Sequence, residues 1–237
     1  MNKHVRAFVV GATGYTGQAV VARLRALGVE TYAHIRPDSP RLARRQSAFE
    51  ALGAEVDVTP WAQDSMNARL AELRPTLVFG LLGVTRSGAK REARARGTAR
   101  ATYESVDVAL TLMAARAAAA VEPAPRFVYL SSLGAGPNTA SAYLKARWTA
   151  EQAIEALGLP FTVARPCFIT GADREGRAVE KVGGMAANAL VGALGALGAG
   201  RTARRYRSRT SQDLAAALVR LALDPDAEGR VFDSEEF

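Results

Sequence analysis

A chain of 237 residues with 49% apolar side chains can bury a sizeable core, which excludes global disorder and suits one large α/β domain spanning residues 1–237, or one domain with a small appendage. Its one cysteine, Cys167, excludes an internal disulfide, and "AFVV" near the start is too short for a signal-peptide core, so the expected compartment is the reducing cytoplasm. The net charge of +8 would admit a polyanion, but no interleaved aromatics or zinc-ligand spacing accompany it, and the expectation is solvated arginines rather than a nucleic-acid surface.

Val5–Val10 reads as a short buried strand stopped by glycine. Behind it Gly11, Gly14 and Gly17 stand three apart, and Ala19, Val20, Leu24 and Leu27 repeat at helical spacing from Gln18 to Leu27. Strand, glycine turn and helix in that order give a glycine motif its meaning. The first glycine permits a tight turn, the second lets the backbone approach a pyrophosphate, and the third allows close helix–strand packing. Helix N-terminal amides around Tyr15 and Thr16 would then face the phosphates. The cofactor-binding set read from this stretch is Gly11, Thr13, Gly14, Tyr15, Thr16 and Gly17, against the alternative of a merely structural turn.

A second strand, Val29–Ile35, leads into "RPDSPR". NAD-selective sites place a carboxylate near this point, about 20 residues on from the glycines. Within the strand end "YAHIRPDSPR" no acid precedes Asp38; Arg36 stands where a 2′-phosphate would lie, with Arg41, Arg44 or Arg45 to assist, so NADP is expected over NAD. The plainer reading of Arg36 is an ordinary surface arginine, and His34 has no assigned role. After a helix over Arg41–Leu52, the strand Ala54–Val58 ends in Asp57 and Val58. Asp57 is a candidate acceptor for an adenine amino group, or a cap for the turn into Pro60. Val58 joins the cofactor-binding set.

A helix over Asp64–Leu73 precedes the strand Thr76–Leu82, within "FGLLGVTR". There Gly80 and Gly83, with Leu82, would let the backbone pass close to cofactor riboses; Gly83 serves equally as a turn glycine. The arginine-rich run Arg86–Arg100 reads as a solvated loop, with an anionic substrate or partner as the sharper alternative. A helix over Thr98–Val121, a strand over Arg126–Leu130, a helix over Ser141–Leu157 and a strand over Phe161–Ala164 follow. Alternating elements imply right-handed crossovers and a doubly wound parallel sheet, a Rossmann fold of order 3-2-1-4-5-6, with its ligand over the carboxyl ends of the strands. Cys167 falls at such an end, as a small hydrophobe or a redox-active thiol.

Past residue 170 the pattern loosens, and 171–237 is expected to form the substrate-side, C-terminal region. The uncharged Gly/Ala-rich stretch Val182–Gly200 reads as a flap or packing helix rather than a membrane span, followed by "RTARRYRSR". A helix over Gln212–Leu223 and a short strand at Val231–Phe232 close the domain. No metal-ligand cluster is visible, and the substrate and oligomeric state are not legible.

The glycine motif, the pair Ser131–Ser132 ending the fifth strand, Tyr143 on the following helix and "RP" after the sixth strand together resemble the short-chain dehydrogenase/reductase superfamily. The closest resemblance is to its atypical branch, the Tat-interacting-protein-like and nitrogen-metabolite-repression-regulator-like oxidoreductases, over most of residues 5–170. "LLGVTRSG" and "SSLGAG…AYLKAR" are the more specific parts. The resemblance implies that Tyr143 donates a proton to a carbonyl as hydride arrives and that Ser132 holds the carbonyl oxygen. It places a lysine four residues past the tyrosine, where this chain has Arg147, a cation that keeps the field but relays no proton. Lys145 projects from a different helix face and is no replacement. The implied function is an NADP(H)-dependent oxidoreductase acting on a small carbonyl or quinone-like substrate. The alternative is a non-catalytic NADP(H)-binding sensor or interaction protein.

Overall fold

The computed structural model describes residues 5–83, 103–167 and 209–237. The run Arg86–Arg100, the Gly/Ala-rich stretch and most of "RTARRYRSR" lie outside them. In chain order the elements are β1 (Arg6–Val10), α1 (Tyr15–Ala26), β2 (Glu30–His34), α2 (Leu42–Glu50), β3 (Glu55–Asp57), α3 (Gln63–Leu73) and β4 (Leu77–Gly80). Then come α4 (Tyr103–Ala119), β5 (Arg126–Leu130), α5 (Ala142–Ala156), β6 (Phe161–Arg165), α6 (Ser211–Leu223) and β7 (Arg230–Asp233).

The strands form one sheet in the order β3-β2-β1-β4-β5-β6-β7, parallel at every pairing. This is a Rossmann-like α/β fold. The expected order of the first six strands holds, and β7 adds itself beside β6.

The central strands β1, β4 and β5 are apolar past the arginines that open β1 and β5, because both of their faces are covered. Along β1, Ala7 and Val9 enter one core cluster while Phe8 and Val10 enter the other. β4 divides in the same way, Leu77 and Phe79 against Val78, and so does β5, Val128 and Leu130 against Phe127 and Tyr129. A period of two feeding two cores is the signature of a doubly covered parallel sheet. The first core also takes Val20, Val21 and Leu24 from α1, Phe49 from α2 and Leu214 and Leu218 from α6. The second takes Met66 and Leu70 from α3, four alanines of α4, and Ala150 and Ile154 from α5.

Most element boundaries shift from the periodicity reading by a residue or a few, and two of the shifts have a clear physical reason. α1 begins at Tyr15, three residues before the first expected helical position, and so contains Gly17. A glycine inside a helix lowers its intrinsic propensity, but here packing requires it: a β-carbon on Gly17 would collide with the Gly11 carbonyl oxygen and lie 2.8 Å from the Ala12 Cα. β4 ends at Gly80, not Leu82, because only Leu77–Gly80 pairs with both neighbours.

Candidate functional site

The candidate residues gather at the carboxyl end of the sheet, at the ends of β1, β2, β3, β4 and β5, in the loops that leave them and on α1 and α5. The glycine turn is built from the strand upward. Gly11 adopts φ +83°, and a β-carbon there would sit 2.7 Å from the Leu81 carbonyl carbon, pressing the turn against the exit of β4. Gly14 donates back to the Gly11 carbonyl at 3.0 Å and serves as the N-cap of α1 without any side-chain cap. The first amides of an α-helix have no intrahelical acceptor. Here no cap side chain and no acidic first-turn residue competes for them, and Thr13 and Gly14 are exposed around them. This cradle fits a diphosphate.

A contact that sequence reasoning missed steadies the same loop. The Gln18 side-chain amide donates to the carbonyls of Thr13 (3.0 Å) and Gly14 (3.2 Å), and its oxygen accepts from Arg45 Nη1 on α2. Gln18 thereby satisfies two carbonyls of the loop and ties it to α2. One turn of helical spacing from Gly14 was its only signal.

At the adenosine end, Arg36 follows β2 and pairs with Asp38 at 3.4 Å. Asp57 is buried. Its Oδ1 accepts from the Thr59 amide at 3.0 Å and its Oδ2 meets Arg69 Nε at 2.5 Å. The turn-capping role foreseen for it is therefore filled, and Arg69 is a partner the sequence did not suggest. Val58 is exposed beside it.

His34, left without a role by the sequence, is buried against Phe8 and edge-on to Trp61, and its Nε2–H donates to the Thr59 carbonyl at 2.8 Å. Burial holds its pKa below the ordinary 6.5, against the opposing pull of the Thr59 carbonyl and Asp57. The unfolded chain therefore takes up a proton near pH 6.5 that the folded chain resists. Stability that is present above that pH is lost as the pH falls. The urea midpoint should decline between pH 7.5 and 5.5, and that decline should flatten in His34→Gln; equal slopes in the two proteins would show that His34 does not carry it.

At the other end, Tyr143 stands on the first turn of α5, whose N-cap Ser141 accepts from the Leu144 amide. Tyr143 is 43% exposed, whereas Arg147, one turn on, is 6% exposed. Arg147 Nη1 donates to the Leu82 carbonyl (2.9 Å), the Tyr129 hydroxyl (3.1 Å) and the Leu130 carbonyl (3.4 Å). Its Cζ lies 5.1 Å from the centre of the Tyr143 ring. Burial disfavours its charge, but the Tyr129 and Tyr143 oxygens more than offset this, and the group stays protonated. A β-carbon on Gly83 would come within 2.9 Å of Arg147 Nη2, so this glycine makes room for the guanidinium. At Gly80 the reason is different: the Phe127 ring fills the space a side chain would need.

The serine pair divides. Ser131 is buried and donates to Glu151, which also accepts two hydrogen bonds from Arg165, at 3.0 and 2.5 Å; Arg165 reaches Asp233 at 3.7 Å. Ser132 lies less deeply in a turn, where its carbonyl accepts from the Ala135 amide, and the Leu133 amide ties that turn to Pro166. Gly134 in this turn packs against Leu144, next to Tyr143. Cys167 is partly buried directly past Pro166. Gly11, Leu82, Gly83, Arg147 and Tyr143 thus form one continuous set of contacts, the Ser132 turn adjoins it through Gly134 and Leu144, and Arg36, Asp57 and Val58 lie toward the outer strands.

A model of the NAD dependent epimerase/dehydratase family matches residues 7–233. Protein FMP52, mitochondrial, of Coccidioides immitis (strain RS) is 28% identical over 189 residues, 76% of this chain and 72% of that protein. Among solved structures, UDP-N-acetylglucosamine 4-epimerase from Bacillus cereus is similar with a TM-score of 0.63 and 16% identity, over 96% of this chain and 78% of its own. The NADPH complex of leucoanthocyanidin reductase from Vitis vinifera gives 0.62 and 17%, over 95% and 67%. At these identities the two structures speak for the fold. No helix among the described residues is long and apolar enough to cross a membrane.

Proposed function

We propose that this chain, which belongs to the NAD dependent epimerase/dehydratase family, is an NADP(H)-dependent oxidoreductase of the atypical short-chain type that reduces a small carbonyl or quinone-like acceptor. The observation that carries this reading is the single line of contacts from the glycine turn through Leu82 and Arg147 to Tyr143. When bound, the coenzyme supplies hydride. Gly11, Gly14 and Gly17 with Thr13, Tyr15 and Thr16 hold the diphosphate, Arg36 meets the 2′-phosphate, and Asp57 and Val58 flank the adenine. Leu82 and Gly83 border the riboses. Tyr143 delivers the proton and Ser132 orients the acceptor oxygen, while Arg147 supplies a fixed positive field and relays nothing.

We read residues 1–237 as one coenzyme-binding domain with 171–237 as its C-terminal region, working on a small molecule without nucleic acid. We place it in the cytoplasm, although the fungal relative is named as mitochondrial. One observation favours a second reading, a coenzyme-binding sensor: Arg147 is spent on two backbone carbonyls and a phenol. The experiment that separates them is coenzyme titration followed by turnover. NADPH should bind at least tenfold more tightly than NADH, with Arg36→Ala removing most of that margin, and NADPH should be oxidised by some member of a carbonyl and quinone panel. Tight binding without turnover would leave the sensor; absence of binding would end both readings.

A further inference from the structure

The partly buried arginines at several other points of the fold are neutralised. Arg6 meets Glu30 at 2.7 Å, Arg69 meets Asp57 at 2.5 Å, Arg126 meets Glu228 at 3.1 Å and Arg165 meets Glu151 at 2.5 Å. Arg147 is buried more deeply than any of them, and among the described residues no carboxylate lies within ion-pair distance of it. Its hydrogen bonds run from Nη1 to three neutral oxygens, and an aromatic ring stands beside its Cζ. A whole positive charge therefore sits in a poorly solvated wall at the ends of β4 and β5, against Gly83. Such a charge is attenuated far less than one in water, and an unpaired buried ion acts on whatever approaches it.

We propose that the unneutralised charge of Arg147 makes this site discriminate by oxidation state, holding the neutral nicotinamide of NADPH and disfavouring the cationic nicotinamide of NADP⁺. This rests on the reading above, in which Gly83 borders the riboses and Tyr143 delivers the proton, an arrangement that puts the nicotinamide next to Arg147. Two like charges within several ångströms in a wall of intermediate dielectric repel by enough to change affinity about tenfold. The consequence is directional: the protein loads with reduced coenzyme in a mixed pool and releases it once hydride has left. Lysine at this position would carry the same charge on a mobile stem that hydrates readily. Arginine, forked and tied down at Nη1, keeps it in place.

The test is a set of dissociation constants for NADPH and NADP⁺ at one fixed salt concentration, read by calorimetry. The wild-type protein should prefer NADPH about tenfold. Arg147→Lys should retain most of that preference, and Arg147→Met should bring the ratio close to one. Arg147→Gln, which keeps a donor for the Leu82 carbonyl without the charge, serves if the methionine variant does not fold, and should behave like it. Equal affinities in the wild type, or a ratio unchanged in the uncharged variants, would overturn the proposal while leaving the coenzyme site intact. Failure of both nucleotides to bind the wild type would overturn the site reading and this inference together.

Discussion

Tyr143→Phe should lower NADPH-dependent turnover by about a thousandfold and change the Kd for NADPH by no more than about threefold. A positioned general acid contributes on the order of 10²–10⁴ in rate, and this substitution removes the oxygen alone. The ring stays over the Arg147 guanidinium, 5.1 Å from its centre, so the seat of Arg147 against Leu82, Tyr129 and Leu130 survives. The side chain is exposed, so core packing is undisturbed, and of the two phenol oxygens beside Arg147 that of Tyr129 remains. The loss should therefore fall on kcat and kcat/KM together, the pattern of an interaction made in the transition state. A Tyr143→Phe protein with wild-type kcat would take the proton from another group. Ser132→Ala should show a smaller drop in the same direction.

The second large effect is on stability. Arg165→Met should destabilise the fold by about 3 kcal/mol, the low end for breaking a buried ion pair by removing one partner. Arg165 is 22% exposed and Glu151 only 3%, so the loss strands a carboxylate in the interior with the Ser131 hydroxyl as its remaining donor. The urea midpoint should fall with an unchanged m-value. The double variant Arg165→Met with Glu151→Leu should recover most of the loss, because a matched apolar pair in such a place is often neutral. If the single and double variants are equally unstable, the deficit comes from packing rather than from an isolated charge. Because Tyr143, Arg147 and Glu151 lie on α5 at four-residue intervals, this pair also fixes the helix that presents the other two.

The sheet was legible in the sequence because its signal is local and repetitive. Short β-branched and aromatic runs mark β1, β4 and β5, and helical spacing marks the crossovers between them. The glycine turn was equally legible, since both its order of elements and its spacing are contiguous. What the sequence concealed are contacts made across long separations. Arg147 meets Leu82 across 65 residues, Arg126 meets Glu228 across 102, and Gln18 and Arg45 meet across 27. None is a periodicity, so none leaves a pattern in a single chain. The serine pair shows the same limit within one strand end: two adjacent identical residues received different fates because a buried carboxylate lies beside one of them. The Gly83 alternatives, coenzyme approach or plain turn, omitted a third use, room for an arginine from another element.

The seventh strand has a further consequence, for synthesis. β6 is complete at Arg165, yet the strand that pairs with it and the helix that covers α1 lie beyond Ser211. At roughly 5–20 residues per second, several seconds separate emergence of the sixth strand from arrival of its cover. During that interval the side of Val20, Val21 and Leu24 that α6 will occupy faces solvent or a chaperone. Ribosome-stalled nascent chains halted just after Cys167 should therefore be protease-sensitive, and the released chain should become resistant only once its last thirty residues have docked.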